Sequence, residues 1–379
     1  MGKQVISFKG LRQNKLYSYK EITGFSSDFN NSFFKALVLS QLAEKSNEKI
    51  SKSNIWILDN SFKPKNQYKN LFDTKGTIDL STSHGLKSLY HMGNPIALMA
   101  NKEAYFLNVC FKFFGELQHL VNNSALVSGI NKNIFFEELL KRLNRESLQD
   151  EIRNFLEEQK DFYFQQLKEV QGSYLLDEKS TKLATKLNTK LTQIFKKYID
   201  LVQVENFESM ESFSGEAVFR RIFRHHSQPI VIVKSDNDLF ICGWDAVSRE
   251  MFVEENDNFL ETRRIQQQSP LFVDLAISCA VIAPFLIPAL KTTWKKANQR
   301  LESEENKPEP DNDTTDKLET VIDNSKKAID ELSVYVPSTG TAEQNVLGNL
   351  VDDLSEDVTS SLEKSINYTE ITVESITKK

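Results

Sequence analysis

The sequence predicts an α+β fold: a predominantly helical body, then one candidate transmembrane helix, then a helical or disordered acidic tail. Three observations carry this. Apolar residues recur at helical spacing through most of 97–226, with short alternating runs on either side of that stretch. Residues 270–290 contain a single charge, Asp274. All 26 Phe and all three Trp precede residue 301, after which acidic and small polar residues dominate.

Residues 1–260 read as one α+β folded region. Strand-like runs stand at Gln4–Phe8, Asn54–Leu58 and Thr77–Leu80, with a helix over Ser32–Ala43. Ala104–Val121 is dense in large apolar side chains and suits a core helix. Ile134–Val170 continues the helical pattern, with a break near Asn144–Ser147. Leu183, Leu187, Leu191, Ile194, Tyr198 and Leu201 form one apolar stripe at spacings of three and four. Ser214–His226 reads as a further helix with Ser214 as its N-cap. Pro229–Lys234 and Leu239–Gly243 alternate around Ser235-Asp236-Asn237-Asp238, which predicts a β-hairpin over 229–243. Met251–Val253 extends that pattern as a third strand.

The segment 270–290 is expected to be a transmembrane helix, with a buried core helix as its alternative. As a helix its 21 residues would span about 31 Å, close to a hydrocarbon core of about 30 Å. The expected lipid-facing residues are Pro270, Leu271, Phe272, Leu275, Ile277, Val281, Ile282, Phe285, Leu286, Ile287 and Leu290. Arg263 and Arg264 precede the segment, and Lys291, Lys295 and Lys296 follow it beside Trp294, as headgroups favour. Arg220, Arg221 and Arg224 on the preceding helix are further candidates for contact with anionic headgroups.

Charge is distributed unevenly. Residues 301–379 carry 19 acidic and 7 basic side chains, so the tail holds −12 and residues 1–300 hold +6. Residues 301–316 are expected to be an acidic linker. Beyond it, 317–379 form an amphipathic helical tail with helices at Lys317–Leu332 and Ala342–Ile366, suited to docking on a protein partner. No basic stripe interleaved with aromatics points to nucleic acid.

Motifs that would name a reaction are missing. No Gly-rich phosphate loop, metal-ligand spacing or cofactor fingerprint is present, so neither a metal nor a cofactor is expected. Cys242 and Arg249 are separated by six residues, one more than a Cys-x5-Arg phosphate cradle needs. Three sparse cysteines, Cys110, Cys242 and Cys279, suit a reducing compartment. Through His225, His226 and Asp245 around the hairpin, the stretch 225–253 resembles papain-like cysteine proteases. That resemblance implies a triad of Cys110, His226 and Asp245, although Cys110 stands mid-helix, away from the N-terminal position that lowers a thiol pKa.

The extreme C-terminus is rich in Ser, Thr and Glu: Thr359, Ser360, Ser361, Glu363, Thr369, Glu370 and Glu374, ending Ser375-Ile376-Thr377-Lys378-Lys379. It resembles the translocation signals of Dot/Icm-type type IV secretion effectors of intracellular bacteria. The resemblance implies action inside a host cell, on a host membrane or a host protein. The function expected is thus a membrane-attached interaction protein with lipid and protein partners. A papain-like cysteine-dependent enzyme is the alternative.

Overall fold

The capping of individual helices by their own sequence explains much of the architecture. Before the first helix, Ser18 and Glu21 form a reciprocal box: the Ser18 amide donates to Glu21 Oε2 at 2.8 Å, and the Glu21 amide to Ser18 Oγ at 3.2 Å. Helix α1 therefore starts well before the expected Ser32 and runs Tyr19–Ser46. The computed structural model describes residues 4–10, 18–46, 50–61, 76–145, 147–172, 178–203, 215–244, 261–267, 271–277, 279–307, 312–334, 349–366 and 369–375.

Two antiparallel sheets lie among the helices. The first joins β3 (Thr77–Asp79), β6 (Asp238–Cys242), β5 (Pro229–Ser235), β2 (Ile55–Ser61) and β4 (Pro95–Ala97), in that spatial order. In β2, Ile55, Trp56, Ile57 and Leu58 are all buried, so the strand reads as a continuous apolar run. The β5–β6 loop places Asp236 at φ 51°, a left-handed conformation that Asp tolerates better than most residues. After β6 the chain tucks Trp244 beneath Gly76. Gly76 itself lies at φ +68°, where a Cβ would stand 2.2 Å from the indole Cγ.

Between β3 and β5 the described residues form six helices and β4. Thr82 caps α2 (Ser83–Met92) by accepting from the Gly85 amide at 3.0 Å, and Asn101 caps α3 (Lys102–Asn122) by accepting from Ala104 at 2.9 Å. Asn131 caps α4 (Lys132–Leu143), which gives way at Asn144 to α5 (Leu148–Gln171). Arg142 ties the two together by bonding both Glu151 and Glu158. Helix α6 (Glu178–Val202) returns along α5 and α3 with Leu187, Leu191, Phe195 and Tyr198 buried, while α7 (Glu216–His225) packs on β2 and β4. Its N-cap is Gly215, with no side-chain cap bond; Ser214 lies outside the described residues.

The second sheet overturns the expected transmembrane helix. Residues Leu271–Ile277 are strand β8, not helix. They pair with β1 (Gln4–Gly10) on one side and β7 (Glu261–Gln267) on the other. Strand β9 (Thr369–Ser375) completes the order β7-β8-β1-β9. Asp274, the segment's sole charge, stands opposite Ser7 and Arg264 in the register. The other half of the segment opens α8 (Cys279–Glu305), where Val281, Ile282, Phe285, Leu286, Ile287 and Leu290 are buried by the protein's own helices. Among the described residues no helix is long and apolar enough to cross a membrane. The physical reason is that an apolar run of this length has no periodicity of its own to separate strand from helix; pairing with β1 decides it. Pro270 lies outside the described residues, and for Leu271, Phe272, Leu275 and Ile277 only the strand placement is described.

The first residues of the expected acidic linker are helical, and the helices of the expected partner-docking tail pack within the chain. Leu301–Glu305 continues α8, and α9 (Asn312–Ser333) folds back along it, with Leu318 and Val321 packed on Ala297. Helix α10 (Asn349–Ile366) packs on α1, α7 and α8. The tail is thereby built into the body, with β9 carrying the chain into the second sheet. Residues 335–348 and those after Ser375 lie outside the described residues, as does the expected strand at Met251–Val253.

Candidate functional site

The site with the most built structure is the groove that receives α10. Its floor is apolar. Leu350, Leu354, Val358, Leu362 and Ile366 recur every four residues and are all buried in the main core, in continuity with α8 and α1. At about 1.5–3 kcal/mol for each fully buried large side chain, this stripe supplies most of the attraction.

The rim is electrostatic, and it places the expected headgroup-contact residues somewhere unexpected. Arg220 on α7 is paired with Asp353 of α10 and with Glu216 one turn back on its own helix. Arg224 is paired with Asp357, and Lys296 on α8 with Glu363. Burial opposes the charge on the Arg220 guanidinium, but the hydrogen bonds it donates to Glu216 and Asp353 outweigh that and raise its pKa. These pairs are partly open to solvent, so each contributes about 0.2–1 kcal/mol, and they set the register of the helix more than its affinity. A double-mutant cycle on Arg224→Ala and Asp357→Ala is expected to give a coupling of at most about 1 kcal/mol, shrinking further in 0.5 M salt. Chemical denaturation at two salt concentrations measures it.

The sequence puts the basic residues against lipid and the acidic tail against a separate partner; the fold instead gives Arg220, Arg224 and Lys296 the counterparts Asp353, Asp357 and Glu363. The signal was present in the charge split, with the tail at −12 and the rest at +6. Of the remaining basic candidates, Arg221, Lys291 and Lys295 are exposed and have no ion-pair partner among the described residues. Arg264 stands opposite Asp274 in the β7–β8 register, and Arg263 lies in the same strand.

Of the implied cysteine triad, Cys110 and His226 fall among the described residues. Cys110 is wholly buried in the middle of α3, and burial pushes its thiol pKa far upward. Cys242 is buried in β6, its thiol pushed up to about 12. A thiol so placed stays protonated and cannot reach a substrate. His226 forms the C-cap of α7 and is lowered in pKa chiefly by burial. Asp245 lies outside the described residues. Among the described residues no group of three His, Cys, Asp or Glu side chains could hold a metal ion.

A polar cleft elsewhere lies between the end of β2, α2 and α3, lined in part by Asp59, Tyr90, His91, Asn94 and Glu116. Asn94 donates its amide and its Nδ2 to Asp59, both at 2.8 Å. Glu116 accepts from Tyr198 and Lys197. Burial first, and the ammonium of Lys132 second, lower the His91 pKa to about 4. His91 is thus neutral in the fold at pH 7, and the unfolded chain binds the proton more readily. Stability contributed at this site is expected to be present above about pH 6.5 and lost as pH falls toward about 4. Thermal melts of wild type and His91→Gln across that range should converge at pH 7 and separate below it, with the wild type losing more.

No protein-family model matches the chain, and no curated protein or solved structure matches it.

Proposed function

We propose that the chain is a protein-interaction module whose α1–α7–α8 groove takes an acidic amphipathic helix, with its own α10 as the resting occupant. The observation that carries this reading is the match between an acidic helix with apolar residues every four positions and a groove that is apolar at its floor and basic at its rim. A partner helix of the same chemistry competes with α10 for the groove. The C-terminal resemblance to Dot/Icm-type effectors supports, within the same proposal, a host protein as that partner; a translocation reporter fused to residues 360–379 tests this part.

The test of the groove uses a labelled peptide of residues 349–366 and two full-length chains, wild type and Leu354→Asp. In the wild type the resident helix is tethered, and tethering keeps it at up to millimolar effective concentration, so the free peptide binds poorly. In Leu354→Asp the groove is vacated, and binding is expected to tighten by roughly tenfold or more. A folded Leu354→Asp chain that binds the peptide no better than wild type would defeat the proposal.

A second reading rests on a separate observation. Trp56 and Trp244 are buried, whereas Trp294 is 38% exposed on α8, next to exposed Lys295 and one turn from exposed Lys291. An exposed indole beside lysines suits peripheral contact with an anionic bilayer, without any span. Co-sedimentation with phosphatidylserine vesicles tests it; equal binding by Trp294→Ser with Lys291→Gln and Lys295→Gln would end it.

A further inference from the structure

Along the seam between α1, α7 and α10 lies a cavity of ≈ 350 Å³. The Lys35 ammonium reaches into it, donates to the Arg224 carbonyl at 3.0 Å and lies 5.7 Å from the centre of the Phe223 ring. Arg224 and His225 stand at its exposed side, and Asp357 from α10 is the one carboxylate present. The Ser32 and Ser361 hydroxyls, 3.0 Å apart, line the wall between α1 and α10. Among the lining groups, two cations therefore face a single anion.

We propose that this cavity is a binding site for a phosphoryl dianion, which takes the place of the Asp357 carboxylate between Lys35 and Arg224 and thereby loosens α10. The inference deepens the groove reading above and rests on it for its consequence, though not for the binding itself. Charge selects the ligand class. With Asp357 moved aside, Lys35 and Arg224 together match two negative charges, whereas a monocarboxylate would leave one cation uncompensated. Burial disfavours the Lys35 ammonium and Asp357 favours it, so the lysine needs an anion there in either state. A guanidinium and an ammonium are the groups that recognise phosphoryl oxygens, and the Ser361 hydroxyl, which accepts from Ser32, keeps its own proton to donate. The exchange is inexpensive on the protein side, because an ion pair as exposed as Arg224–Asp357 contributes little.

The experiment is a titration of the full chain with inorganic phosphate above its second pKa, where it is the dianion, and in parallel with phosphatidate vesicles, which separates a soluble source of the phosphoryl group from a lipid one. Isothermal calorimetry and vesicle co-sedimentation read binding on wild type, Lys35→Gln, Asp357→Asn and Arg221→Gln. Binding is expected to weaken by roughly tenfold or more in Lys35→Gln, to tighten in Asp357→Asn, and to stay unchanged in Arg221→Gln, an exposed arginine outside the cavity. Amide exchange in α10 is expected to quicken by roughly fivefold when the anion is bound. Binding to neither probe, or equal binding by wild type and Lys35→Gln, would overturn the site. Exchange unaltered by bound anion would overturn its coupling to α10. Failure of the 349–366 peptide to enter the groove would sink the interaction reading alone, because phosphoryl binding is measured without the peptide.

Discussion

Leu354→Asp is expected to detach α10 from the body while the remaining helices stay folded. Leu354 is fully buried at the centre of the helix, between Leu350 and Val358. An aspartate there loses the leucine's burial and leaves a carboxylate without a partner, a cost on the order of 3–5 kcal/mol. A charge at the centre of the stripe lets water in between its two halves, and the rim pairs, at about 0.2–1 kcal/mol each, do not offset that loss. Amide exchange should show protection vanishing from 349–366 and persisting in α3 and α5. Asp353→Asn, by contrast, should leave α10 protected. Simultaneous loss of protection throughout the chain would mean that α10 is an inseparable part of the core and not a docked segment.

The second large effect is expected in the aromatic cluster formed by α2, α3 and α4. Phe114 is fully buried, with ring centroids of Phe135, Tyr90 and Phe136 at 4.6, 5.2 and 5.3 Å. Phe114→Ala removes one ring from a packed aromatic cluster and leaves a cavity, which costs about 3–5 kcal/mol. The loss should be global, with a lower midpoint in denaturant and an unchanged slope. Phe162→Ala is the control: that side chain is 51% exposed, and the change should stay within about 0.5 kcal/mol. Similar midpoints for the two variants would show that the aromatic cluster is not the stabilising centre of the body.

How far these features can be read from sequence depends on whether the signal is local. The aromatic-dense run 104–121 reads as a helix and is α3, because its side chains leave no competing period. The hairpin is legible for the same reason, since its turn residues name the turn. The start of α1 was also legible in principle: Ser18 and Glu21 spell a capping box that the reading from Ser32 passed over. The segment 270–290 was not legible, because its first half is fixed by pairing with β1, more than 260 residues earlier in the chain. The groove is an intermediate case. Its charges are visible as a split between tail and body, yet only the fold pairs Arg220 with Asp353 or Arg224 with Asp357. Lys35 had no signal at all, being one lysine among many until α7 and α10 are brought beside it.

Strand β1 is flanked by β8 and β9, so Ile6 has Leu275 on one side and Val373 on the other. During synthesis that strand precedes β9 by about 360 residues, so its second edge is covered only after all of them are made. At about 5–20 residues per second the delay is on the order of tens of seconds. For that interval an apolar edge stands open to neighbours on the same message, a template for the wrong strand. A nascent chain of this design therefore depends on whatever shields β1 until β9 has left the ribosome, and loss of β9 would leave that edge open permanently.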